Sequence, residues 1–165
     1  VLGNKFPKYT YGLTFNANFK GFDLSTTFQG HAGVSGMWSR DAIWPLNSKN
    51  LMEWQLDRWT QENPRRHAEV PRYLIGQNTN TRDATGFWVR DASYLRFRHL
   101  EIGYSIPEDI LNRVNIKKLR IYVSGRNLKT WDNYYEGYDP EITHDQDHNY
   151  YPPTSVYSLG INLRF

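Results

Sequence analysis

"YTYGLTFNANF", Tyr9 to Phe19, alternates without interruption: Tyr9, Tyr11, Leu13, Phe15, Ala17 and Phe19 fall on one side, Thr10, Gly12, Thr14, Asn16 and Asn18 on the other. A period of two marks an extended strand with two unlike faces. The run lasts about ten residues, the length a tilted strand needs to cross a bilayer. Lys20 and Gly21 follow as a two-residue turn. "FDLSTTFQGHAG" then resumes the pattern, setting Phe22, Leu24, Thr26, Phe28 and Gly30 against Asp23, Ser25, Thr27, Gln29 and His31. The pair reads as a hairpin with one apolar and one polar face.

Three more segments carry the same signal. In "SYLRFRHLEIGYSIP", Leu100, Ile102, Tyr104 and Ile106 share a face, while Leu95 and Phe97 have the opposite parity. A parity slip inside one strand predicts a β-bulge near Arg98 and His99, or two separate pairing segments. Pro107 ends the strand, and "EDILNRVNI" reads as a connector of one to two helical turns. "KLRIYVSGRNLKTW" sets Leu119, Ile121 and Val123 against Arg120, Tyr122, Ser124 and Arg126. The run "SVYSLGINLRF" sets Tyr157, Leu159, Ile161, Leu163 and Phe165 against Ser158, Gly160, Asn162 and Arg164.

Between these strands lie two long irregular stretches. After Gly33 the alternation dissolves for nearly sixty residues, and a loop of that length is usually functional. Within it, "NSKNLMEWQLDRW" places Leu51, Trp54, Arg58 and Trp59 near helical spacing. This predicts a short amphipathic helix capped by Ser48 and stopped by Pro64. "QNTNTRDATG", Gln77 to Gly86, is rich in turn formers. A second loop, Trp131 to Thr154, holds "GYDPE" and "HDQDHNYYPP".

The strands are thus joined by short links at one end and long loops at the other. That asymmetry characterises outer-membrane barrels. Phe19, Phe22, Tyr104 and Phe165 gather at the short-link end, where an aromatic girdle belongs. The fold class is all-β: an antiparallel transmembrane β-barrel segment of about five strands. Five strands cannot close a barrel, because the smallest single-chain barrels have about eight. The segment is expected not to fold alone as a soluble monomer, since both sheet edges would lack partners.

Composition agrees. Of 165 residues, 16% are aromatic while only 39% are hydrophobic, a polar chain with heavy apolar anchors. That mixture suits a two-faced sheet. No cysteine is present, which excludes disulfides and thiolate metal sites. The net charge of +3 is dispersed, without the basic block of a nucleic-acid arm. No run approaches the roughly 20 apolar residues of a membrane helix, which leaves a barrel open.

Several blocks, taken in order, resemble a known family. "GNKFPKYTYGLTFNANFKGFDLSTTFQG", "RWTQENP", "DASYLRFRHLEIGYSIP", "LRIYVSGRNLKTW", "GYDPE" and "SLGINLRF" are similar to the C-terminal end of SusC/RagA-family TonB-dependent outer-membrane transporters. They cover nearly the whole chain. The resemblance implies that residues 1–165 are the C-terminal portion of a plugged barrel of about 22 strands in the cell outer membrane. It implies TonB-energised import of oligosaccharides or peptides, without a cofactor. It also implies a SusD-like surface lipoprotein as partner, the TonB complex acting through a part of the protein outside this chain, and a dimer of transporter–lipoprotein pairs. Phe165 resembles the terminal aromatic signal read by the barrel-assembly machinery. Two rivals are a TonB-dependent siderophore or metal-complex receptor and a soluble all-β carbohydrate-binding module. The module would pack its apolar face on a second sheet, whereas the barrel would expose it in a belt.

Candidate residues follow from this reading. Loop aromatics stack on sugars and bury well at interfaces, so Trp38, Trp44, Trp88, Tyr135 and Tyr138 are candidates for substrate or partner contact. The bland alternative is that such residues staple a long loop onto itself, and Trp54 and Trp59 fit it best. On the polar face, Asn16, Asn18, Asp23, Gln29, His31, Arg120 and Arg126 would line the lumen or contact the plug, because buried charges need partners. His144, Asp145, Asp147 and His148 offer a weak metal site, with Asp145 and Asp147 the candidates. "DQDHN" opens like a calcium loop, but Tyr150 occupies the position that needs glycine and Val156 the position that needs glutamate. A solvated loop explains them better. Enzymatic chemistry has no motif here: "GVSGM" is not a nucleophile elbow and no phosphate loop follows a strand.

Overall fold

The computed structural model describes residues 3–38, 53–68, 70–73, 86–112, 116–135, 137–143, 151 and 153–165. Among these, seven strands form two sheets, of five and two strands. The chain divides into two compact units: residues 8–32, 93–132 and 153–165 form the large sheet, and residues 1–7, 33–92 and 133–152 form a loop unit.

In the sheet unit, β1 (Tyr9–Phe19) and β2 (Phe22–Ala32) form the expected hairpin, paired in register from Phe19↔Phe22 to Tyr9↔Ala32. Its turn requires positive φ at both central positions, and Lys20 and Gly21 adopt 48° and 86°. Further along the chain come β5 (Tyr94–Ser105), β6 (Lys118–Asp132) and β7 (Val156–Arg164). All neighbours are antiparallel in the order β1-β2-β5-β6-β7. A four-residue helix, α1 (Glu108–Leu111), follows Pro107 in the β5–β6 link.

The parity slip is a bulge. Thr27 pairs with His99 and Phe28 with Phe97, leaving Arg98 as an extra residue. The irregularity continues into β6, where His99 faces Arg126 and Phe97 faces Lys129. Asn127, between those two, takes a positive φ of 51°, a conformation that asparagine tolerates better than most residues. The bulge therefore brings Leu95 and Phe97 to the same face as Leu100, Ile102 and Tyr104. One continuous apolar face results, with rows such as Phe19–Phe22–Tyr104–Ile121–Ile161 and Ala17–Leu24–Ile102–Val123–Leu159.

That face is open to the surroundings. Leu13 is 66% exposed, Leu159 73% and Phe165 74%. A soluble sandwich would bury such residues against a second sheet.

The loop unit is built the other way round. β3 (Ser35–Met37) pairs with β4 (Val89–Asp91), extended by bonds from Trp38 N to Trp88 O and from Ala92 N to Val34 O. Val34, Trp38, Val70, Trp88, Ala92, Tyr134 and Tyr135 form a buried core. The amphipathic helix expected between Leu51 and Trp59 is not what forms. Among the described residues it is a single 3₁₀ turn at Glu53–Leu56. Arg58 then pairs with Val70 in a parallel bridge, and Trp59 N donates to Val70 O. Tertiary pairing has displaced a weak local helix preference. Ser48, its expected cap, lies outside the described residues.

Candidate functional site

The polar face of the sheet holds a network that spans three strands. Arg120 on β6 donates through Nε to Asp23 Oδ1 on β2 at 2.9 Å, and through Nη2 to Asp23 Oδ2 and to Glu101 Oε1 on β5, the latter at 2.7 Å. The alternation of β2, β5 and β6 sends all three side chains to one face, and the register sets Asp23 opposite Gly103 and Glu101 opposite Ser124. The guanidinium fork suits this two-carboxylate arrangement, where a lysine would offer a single point charge.

Two glycines make room for it. A Cβ on Gly103 would stand 2.5 Å from Arg120 Nη2 and 2.6 Å from Asp23 Oδ1. A Cβ on Gly160 of β7 would stand 2.2 Å from Tyr122 Cζ. Tyr122 thus lies flat across β7, and the Arg120 guanidinium sits 4.8 Å over its ring, within cation–π range. Ring, ion pairs and bare backbone together fix the arginine.

The other polar-face candidates share this face without joining the network. Asn16 pairs across from Ser25, and Asn18 from Asp23. Gln29 lies opposite Arg96, which is 3% exposed and donates through Nε to Thr130 Oγ1 at 3.1 Å. His31 packs on Tyr94 with ring centroids 5.3 Å apart. Arg126 is exposed, between His99 and Val156. Glu101, Tyr94 and Arg96 were absent from the expected set. Glu101 could have been found from alternation alone, since it lies between Leu100 and Ile102.

Trp38 and Trp88 are 0% and 1% exposed and belong to the core of the loop unit. Tyr135 is buried with them: its ring stacks on Trp38 at 3.7 Å, and its hydroxyl donates to Trp88 O at 3.1 Å. The physical reason is that the largest rings remove the most apolar area from water when they turn inward. Tyr138 packs edge-on against Trp38 and stays half-buried. Among the described residues, Phe6, Phe87 and Tyr151 are exposed aromatics of the loop unit that the sequence did not single out. Trp44 lies outside the described residues, as do His144, Asp145, Asp147 and His148. Phe165 lies one residue past β7, exposed.

No protein-family model matches the chain. Across its whole length it is 29% identical to TonB-dependent receptor P3 of Formosa agariphila, covering 17% of that protein. Over 93% of its length it is 29% identical to TonB-dependent receptor SusC of Bacteroides thetaiotaomicron, covering 15% of it. Among solved structures, the RagAB peptide importer in its closed-closed state matches with a TM-score of 0.75 at 27% identity, over 99% of this chain and 18% of that one. The open-open state matches with a TM-score of 0.71 over 97% of this chain. The chain thus spans less than a fifth of the length of the relatives it matches.

Proposed function

We propose that this chain, a segment of a SusC/RagA-family TonB-dependent transporter, forms the C-terminal part of a barrel wall through which an oligomeric nutrient, oligosaccharide or peptide, is imported across the outer membrane. The apolar face meets lipid. The polar face meets the plug and the solute route, and the Asp23–Arg120–Glu101 network stiffens the wall there. The long loops contribute to the outer vestibule and to docking of a SusD-like lipoprotein. TonB couples energy through other parts of the receptor, and the transporter–lipoprotein pairs assemble as a dimer. Import proceeds by gating, with no covalent step.

The observation that carries this reading is a sheet with unlike faces: exposed rows of Leu, Ile, Val and aromatic residues on one side, and an ion-paired network on the other. That distribution is the one a membrane barrel needs and the reverse of a soluble module.

Single cysteines test it cleanly, because this stretch contains none. In an otherwise cysteine-free, full-length transporter, labels at Leu13 and Leu159 should be quenched by lipid-borne spin probes. Labels at Asn16 and Ser124 should not. Equal reaction of both sets with a membrane-impermeant maleimide would overturn the membrane assignment. Deleting the whole transporter should abolish growth on its oligomeric nutrient while leaving growth on the monomer intact.

A further inference from the structure

The apolar face is not uniform. Where β5, β6 and β7 lie side by side it carries a groove of about 490 Å³, lined by Leu100, Ile102, Val123, Leu128, Tyr157 and Leu159. That volume lies within the roughly 300–1,000 Å³ of ordinary ligand sites. Its shape follows from the bulge: Asn127 takes positive φ, and the extra residue of β6 swings Leu128 over Gly125, where a Cβ would meet Leu128 Cδ2 at 2.6 Å.

Just beyond the groove, on the side towards the loops, stands Lys129. It is exposed and opposite Phe97, in the row of the apolar face that also contains Leu13 and Phe28. A cation in an otherwise apolar belt is costly unless it lies at the headgroup level. Leu119 and Lys129 are ten residue steps apart on β6. At ~3.3 Å per residue and a tilt of ~40° this is about 25 Å of membrane height, the full apolar band. Lys129 therefore falls at the outer border of the band, with Trp131 following it on the same face as an interfacial anchor.

We infer that this groove binds an acyl chain of a phosphorylated lipid of the outer leaflet, with the Lys129 ammonium taking the phosphate. The inference rests on the membrane reading above. A lipid suits the groove because its lining is mostly apolar, and the Lys129 charge beside it matches a headgroup in sign and depth.

Native mass spectrometry of the full-length transporter can test this, with monophosphoryl lipid A and its dephosphorylated form as probes of identical acyl content. The wild type should retain the phosphorylated form about fivefold better, the preference expected of one cation near a membrane surface. Lys129→Gln should bind both forms equally. Leu159→Trp, which fills the groove, should lose both, and Val123→Phe serves if that variant misassembles. Equal retention of the two forms by the wild type would overturn the assignment. So would undiminished retention by correctly assembled groove-filling variants, or a lipid-free dimer sealed across this face. If the cysteine labels still report lipid contact, only this inference fails; if they do not, the membrane reading fails first.

Discussion

The sheet unit and the loop unit obey opposite rules within one chain. In the loop unit, Trp38 and Trp88 are fully enclosed and the tyrosines pack around them. In the sheet unit, β1 and β7 expose large apolar side chains along nearly their whole length. The first arrangement is what water imposes on apolar surface. The second is tolerable only where the surrounding medium is itself apolar, with every backbone group of the sheet paired to a neighbouring strand. The contrast teaches that burial by itself does not identify the important residues here. Exposed Leu159 is as much a structural residue as buried Trp38, in a different solvent.

Substitutions that exchange the rules should break the comparison most sharply. Trp38→Ala empties the loop core and should cost that unit about 3–5 kcal/mol. Limited proteolysis of the assembled transporter should then cut within residues 33–92, while the heat-modifiable gel shift of the barrel persists. Loss of the gel shift as well would mean the two units do not fold separately. Leu159→Arg puts a charge on the lipid side and should destabilise the barrel by about 2–4 kcal/mol in urea titrations from bilayers. Ser158→Arg, one residue away on the polar face, should cost far less.

The network on the polar face offers a finer test. Arg120→Leu strands Asp23 and Glu101, and because these groups are only partly shielded, the cost should be about 1–3 kcal/mol. Adding Asp23→Asn should recover part of it, a coupling that a double-mutant cycle would read. Gly103→Val should mimic the loss sterically.

The smallest effect appears only in alkali. Burial pushes the Tyr73 hydroxyl up to about 12, slightly offset by the positive charge of Arg58. An unfolded tyrosine titrates near 10, so the fold favours the neutral form. Its contribution is intact below pH 10 and is lost as pH rises through 12. Protease sensitivity of the loop unit should rise over that interval, and Tyr73→Phe should flatten the rise without effect at neutral pH.

Much of this was legible along the chain. The five strands, the Lys20–Gly21 turn, the helical connector after Pro107 and the bulge near Arg98 all leave local traces, because alternation and turn chemistry involve neighbouring residues. The Asp23–Arg120 contact bridges 97 positions, and only the register between β5 and β6 brings Glu101 to the same arginine. The β3–β4 ladder spans three residues per strand, too few for a period to register. The fate of Trp38 and Trp88 could not be read either, since an aromatic residue in a loop has the same local sequence whether it faces in or out.

The sequence alone determined the sheet and its two faces, because a strand's period of two is fixed by backbone geometry and survives without knowledge of any partner. Only the tertiary structure decided that Leu95 and Phe97 join the face of Leu100, and that one arginine ties together two carboxylates from other strands. It alone decided that the loop tryptophans turn inward. Those outcomes depend on register between strands and on contacts between distant segments, and no window of neighbouring residues contains them.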